Sequence, residues 1–330
     1  MTIDRIGYSL GTLLSPEEML LAGKEANNNY NTDSIWVPES WGREAFSSLG
    51  ALSQVTDRVK LGTSIVSIYS RSASTIAMSA ATVDLLSNRR MVIGLGVSTP
   101  ILAENWHGLR FENPVKRMKE YIECIRLILT GDLVNYNGNF CKIRNFRLAF
   151  RPKRNKIPVF LAAVNQRMIL LSASIGDGIV LYLRPEHEIR KVVSTIRSIR
   201  PQRDFEIACV FITCVSDKYP EKGRDRAAKT VAFYVAVGGY YNKFLAENGF
   251  RDEVRNITDE YNSRGLNAAS KLVTDKMLSS LAIYGSREDC IKAIKRFMAT
   301  GISLPIIQIN PLENIEGSFR ETLTLLNGND

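Results

Sequence analysis

The stretch RRMVIGLGVSTP (Arg89 to Pro100) holds the glycine pair that a phosphate-cradling loop would use. A dinucleotide fingerprint also needs a third glycine that opens a helix. Here Val97, Ser98, Thr99 and Pro100 follow Gly94 and Gly96 instead. The glycines therefore belong to an apolar strand. They either relieve crowding in a packed core or let a flat ring approach the strand end where Ser98 stands. The chain has only two histidines, His107 and His187, which leaves little material for a Ser-His-Asp relay or a multi-histidine metal site. Its cysteines, Cys124, Cys141, Cys209, Cys214 and Cys290, are scattered and form no C-x-x-C pair. Neither a disulfide framework nor a structural zinc site is expected, and no metal is assigned.

The net charge of +9 over 330 residues would suit a polyanionic partner. The basic clusters at 151–156 (RPKRNK) and 197–203 (RSIRPQR) carry no interleaved aromatics for base stacking, so they read as solvated surface. No nucleic-acid partner is expected. No apolar run reaches the ~20 residues of a membrane span, and the opening MTIDRIGYSL lacks the apolar core of a signal peptide. A cytoplasmic protein with no membrane partner is expected.

Elements that would position these residues follow from two alternating periods. Strands are predicted at 5–10, 33–38, 59–68, 90–96, 157–163, 177–183, 205–215 and 304–309. Helices are predicted at 15–28, 42–56, 72–87, 113–131, 165–175, 185–199, 286–301 and 314–327. Ser15 followed by Pro16 and Glu18 has the form of a capping box. Residues 132–150 alternate around Asn137-Gly138 and predict an inserted β-hairpin. At about 216–280 the beat is lost in long helical sequence, taken as a second insertion. Strands apolar on both faces and alternating with helices imply a parallel sheet. Eight such units predict one domain over 1–330, an α/β (β/α)8 TIM barrel with insertions, with chemistry at the carboxyl ends of its strands. A doubly wound open sheet is the alternative, disfavoured because no Gly-rich turn follows the first strand.

Four stretches carry a family resemblance: DSIWVPESWGREAF (33–46), the segment 58–96 with its glycines, arginine and Asp84, ENWHG (104–108), and IPVFLAAVNQRMILLSASIGDGI (157–179). Together they resemble the bacterial luciferase-like superfamily on its deazaflavin side. That branch includes methylenetetrahydromethanopterin reductases and coenzyme F420-dependent glucose-6-phosphate dehydrogenases. The resemblance implies hydride transfer between coenzyme F420 and a small-molecule substrate, possible C1-carrying tetrahydropterins among them. It also implies a non-prolyl cis peptide at Ser64-Ile65 behind the ring. Ring contacts are expected at Ser64, Ile65, Gly94, Gly96 and Ser98, and phosphate contacts at Ala163, Val164, Asn165 and Gly178. Asn165 stands where many members have glycine, and Ser40 where many have histidine. Glu39, Glu104 and His107 are then the ionisable candidates for steadying a cationic substrate or relaying a proton. Glu39 is alternatively a helix cap, and His107 a packed histidine. Trp41 and Trp106 either wall the ring or fill the barrel top; Arg71 either meets a cofactor tail or faces water. Family members commonly form homodimers, and the apolar flank of 72–87 fits one. Two other readings stay open: an FMN-dependent monooxygenase and a non-catalytic cofactor-binding barrel.

Overall fold

Local chemistry sets the first helix. Ser15 Oγ accepts from Glu18 N at 3.1 Å while Glu18 Oε2 accepts from Ser15 N at 2.6 Å, and Pro16 occupies the first turn. This capping box satisfies two end groups that the helix itself leaves unpaired. The computed structural model describes residues 3–326 apart from Asn155, Arg203 and Glu313. The last predicted helix position, 327, lies outside them, as do single positions of the two basic clusters.

In chain order the elements are β1 (Ile6–Ser9), α1 (Pro16–Asn28), β2 (Thr32–Val37), α2 (Ala45–Val55), β3 (Lys60–Thr63), β4 (Val66–Ser67) and α3 (Ala73–Leu86). Next come β5 (Met91–Gly96), α4 (Pro114–Leu129), β6 (Val134–Asn137), β7 (Lys142–Phe146), β8 (Val159–Ala162), α5 (Gln166–Ile175), β9 (Gly178–Tyr182) and α6 (Glu186–Ile199). The remainder is β10 (Glu206–Val215), α7 (Pro220–Val237), α8 (Gly239–Leu245), α9 (Arg251–Arg264), α10 (Leu266–Ala269), α11 (Asp275–Leu281), β11 (Ala282–Gly285), α12 (Arg287–Met298), β12 (Leu304–Ile309) and α13 (Ile315–Leu323).

The chain divides into two compact units. The first holds residues up to Thr32, Leu181–Ser198 and Ile207 onward. In it β1 pairs with β12, β12 with β10 and β10 with β11, all parallel. Its apolar strands are fully buried, as at Ile212 and Ile306. The helices of 216–280 are not merely a polar excursion. Ala227, Val231 and Val235 of α7 share one buried cluster with Ile212, Ile257, Leu278 and Ala282. Strand β11, four residues long, falls between the segment read as helical to about 280 and the helix expected from 286, and the sequence reading assigned it to no element.

The second unit holds Asp33–Val180 and Ile199–Glu206. Here β2 pairs with β3, β3 with β5, β5 with β8 and β8 with β9, again parallel. Small residues Ala77, Ala80 and Ala81 let α3 lie close, and α3 packs on α2 and α4. The hairpin β6–β7 forms as expected, but its turn is not a two-residue Asn-Gly turn. Gly138 to Cys141 make a longer loop closed by Gly138 N donating to Cys141 O at 2.8 Å. Asp84 and Arg90 of the signature segment are scaffolding. Asp84, buried, takes Arg154 in a bidentate pair, and Arg90 donates to Ser87 O, Thr56 O and Val59 O. These contacts fix the amino end of β5.

Among the described residues no helix is long and apolar enough to cross a membrane. None of their His, Cys, Asp and Glu side chains form a group of three or more that could hold a metal. All five cysteines are free and buried.

Candidate active site

The strand expected at 59–68 is broken in two, and the break builds the site. The Ser64-Ile65 peptide is cis, between β3 and β4. Strand β5 pairs with β3 through Leu61 and Gly62, and with β4 through Val66 and Ser67. Across the gap the Thr63 hydroxyl substitutes for the missing ladder: it accepts from Gly94 N and donates to Gly94 O, each at 2.8 Å. Ser64 N donates to Val37 O at 2.9 Å, which ties the break to the carboxyl end of β2. The Ser64 hydroxyl is buried with no hydrogen-bond partner.

Gly94 and Gly96 relieve crowding, the first of the two readings of these glycines. A side chain on Gly94 would collide with the Thr63 carbonyl oxygen. One on Gly96 would meet Ile65 Cδ1 at 2.5 Å and Cγ1 at 2.7 Å. The space that glycine leaves is filled by the protein's own broken strand. Gly178 is crowded likewise: it is buried in β9, and a Cβ there would meet the Phe160 ring at 2.7 Å and Glu206 O at 2.9 Å.

Beside the break lies a cleft of about 300 Å³, lined by the segments Glu39–Glu44 and Ser67–Arg71 together with Ser98, Leu102 and His107. Glu39, Ser98 and His107 are thus brought together. Ser98 adopts a left-handed backbone, with φ of 57°, which turns the chain off the end of β5 into the cleft. Arg71 neither faces water nor waits for a tail. Its guanidinium donates through both terminal nitrogens to the two Glu39 oxygens, and also to Glu44. A bidentate fork of this kind fixes orientation as well as charge. Glu39 Oε2 also accepts from Ala45 N at 2.9 Å, so the capping alternative holds in part. The N-cap of α2 is Glu44, whose carboxylate accepts from Phe46 N and Ser47 N.

Glu104 does not join them. It is exposed and accepts from Phe111 N at 3.1 Å, which pins its own loop. Trp41 and Trp106 fill no core: both are largely exposed and meet edge to face at 5.9 Å, next to the lining residues Gly42 and His107. Ala163, Val164 and Asn165 lie at the start of α5, outside that cleft's lining. Asn165 has an ordinary extended backbone, φ −96°, and caps α5 by accepting from Met168 N at 3.0 Å. Its tolerance of left-handed geometry is therefore not what it is used for. Arg43, Glu44, Ser67 and Ser70 were missed by sequence reading. The available signal was Arg and Glu directly before the apolar helix 45–55, and serines flanking Arg71.

With the geometry described, comparison with known proteins is informative. The family model described as luciferase-like monooxygenase matches residues 29–304. The chain belongs to that family. A 5,10-methylenetetrahydromethanopterin reductase of Archaeoglobus fulgidus is 27% identical over 281 residues, covering 82% of this chain and 83% of its own. The coenzyme F420 dependent tetrahydromethanopterin reductase of Methanopyrus kandleri superposes with a TM-score of 0.85 at 20% identity, over 98% of this chain and 97% of its own. An F420-dependent secondary alcohol dehydrogenase, solved with an F420-acetone adduct, superposes with a TM-score of 0.77 at 17% identity, over 98% of each chain. The structural likeness shows the fold, the (β/α)8 barrel of luciferase-like proteins.

Glu44 is expected to contribute acid sensitivity to this member of the luciferase-like family. Burial pushes its carboxyl up, but the Ser47 and Phe46 amides and the Arg71 charge outweigh burial and hold it below the usual range. A depressed carboxyl stabilises the fold above its unfolded pKa, ~4.3, and that stability is lost as pH falls through the folded value. A Glu44→Gln variant is expected to show a flatter acid limb in urea midpoints measured from pH 5 downward. A limb identical to that of the unaltered protein would count against this account.

Proposed function

We propose that this chain is a coenzyme F420-dependent oxidoreductase that passes a hydride between the deazaflavin and a small organic substrate. When bound, the coenzyme supplies the two-electron carrier, and the protein supplies orientation and electrostatics. The observation that carries the reading is the buried, unpartnered Ser64 hydroxyl beside Glu39's strand end, in a member of this family. A buried hydroxyl without a partner costs free energy, so a polar ligand that reaches it gains a bond with no protein bond to break. Two of the three proteins compared carry F420 in their names, and a C1-carrying tetrahydropterin is the substrate class that the reductases support. Glu39, held by Arg71, is assigned the role of facing positive charge that grows on the substrate as hydride leaves. His107, exposed at the rim of the same cleft, is assigned the proton relay. Ser98 and the Ser64-Ile65 segment are assigned to the ring, and the turn at Ala163–Asn165 to the phosphate. Glu104 is left as a loop anchor.

The reading includes a cytoplasmic homodimer. Met78 and Leu86 of α3 are 42% and 52% exposed, as a helix awaiting a second copy would leave them. Sedimentation at monomer mass over the micromolar range would remove the dimer from the proposal.

Equilibrium dialysis of the purified protein against F420 and, separately, FMN tests the cofactor. Retention of F420, with bleaching of its visible band on substrate addition, is expected. FMN retention with oxygen uptake, or retention of neither, overturns the reading. Ser64→Ala is expected to weaken F420 binding about tenfold, the worth of one hydrogen bond, and to raise the melting temperature of the unliganded protein slightly, since the unpaired hydroxyl is gone.

A further inference from the structure

The observation that leads beyond the proposed function is a pair of buried thiols that the cleft does not use. Cys124 lies on α4 and is fully buried; Cys141 ends the β6–β7 turn and is 6% exposed. Glu120 clamps that turn to α4, its Oε2 accepting from Phe140 N at 2.7 Å and from Cys141 N at 3.2 Å. Cys124 stands four residues after Glu120, hence one turn along on the same helix face. The turn thus brings Cys141 to the face of α4 that carries Cys124. Interaction between the two thiols holds Cys141 below the usual thiol range and pushes Cys124 up. The other cysteines sit in the other unit at 1% exposure or less, and burial pushes each of their thiols up.

The turn also bears on the cleft wall. The Arg117 guanidinium is sandwiched between the Phe140 ring at 4.7 Å and the Tyr69 ring at 4.6 Å. Tyr69 N in turn donates to the Ser67 hydroxyl at 3.1 Å, and Ser67 lines the cleft.

We propose that Cys124 and Cys141 form a reversible disulfide that locks the hairpin turn onto α4 when a peroxide is present as two-electron oxidant. The Cys141 thiolate attacks the peroxide O–O bond; with hydrogen peroxide this gives a sulfenic acid and one water. The Cys124 sulfur then attacks the sulfenic sulfur, forming the S–S bond and releasing the second water with the thiol proton. Two thiols lose two electrons, and one hydrogen peroxide becomes two waters.

The test is brief treatment of the full chain with hydrogen peroxide, then alkylation and mass mapping. The expected result is loss of two hydrogens, a linked peptide pair containing Cys124 and Cys141, and reversal by dithiothreitol. The link closes a short loop, so the melting temperature should rise by about 4 °C on oxidation. Cys141→Ser should abolish both changes, and Cys290→Ser should keep them. The mass map of the unaltered chain decides the matter even if the serine variant folds poorly. Oxygen added to Cys141 without a link, a link between other cysteines, or no reaction overturns the proposal.

Discussion

Gly94→Ala is expected to destabilise the protein by about 3 kcal/mol, seen as a lowered urea midpoint with an unchanged slope. The added methyl has nowhere to go, because the atom in its way is the Thr63 carbonyl oxygen and not a movable side chain. Relief would require separating β3 from β5, and the Thr63 hydroxyl bonds to both Gly94 N and Gly94 O would go with it. Gly96→Ala offers a graded comparison. Its obstacle is the tip of Ile65, which is half-buried and can turn, so a cost of about 1 kcal/mol is expected. In an Ile65→Ala background the Gly96→Ala cost should vanish, whereas the Gly94→Ala cost should persist. Equal costs in both backgrounds at both sites would show that the glycines are there for some other reason.

Arg71→Leu carries the second large effect. Arg71 and Glu39 are each 14% exposed in their side chains, and Arg71 also reaches Glu44. Removing the guanidinium leaves Glu39 accepting from the Ala45 amide and strips the charge shared by two carboxylates. Losing one partner of a largely buried pair costs about 3 kcal/mol, most of it the penalty on the charge left behind. The loss should appear in denaturant midpoints even without cofactor. A Glu39→Gln, Arg71→Leu double variant should recover part of it, since the stranded charge is then gone. Arg71→Lys should fall between, because one ammonium cannot reproduce the fork. Full stability in Arg71→Leu would mean that the clamp is incidental.

How much of this was legible beforehand depends on where the information sits. The capping box at Ser15 and Glu18 is local, and α1 begins where those residues require. Strand β12 was read to its ends because Leu304–Ile309 is one apolar run. Strand β11 was not, since four residues following a helix carry no period of their own. The cis position came from resemblance to a family, as no local rule points to Ser64 and Ile65. The glycines were seen and crowding was one of the two purposes read for them, but what crowds them was not legible, because it is a neighbouring strand about thirty residues away in sequence. Glu44 and Arg71 were invisible as a pair for the same reason: an ion pair 27 residues apart leaves no spacing to read.

The two exposed indoles offer something practical. Of the three tryptophans, Trp36 is 1% exposed against the Phe160 ring, whereas Trp41 and Trp106 flank the cleft. Emission from this protein therefore has one sheltered source and two wet ones at the entrance, each the other's near neighbour. A ligand that settles in that entrance is expected to change the emission of the wet pair and spare the sheltered one, so the chain carries its own optical gauge of occupancy.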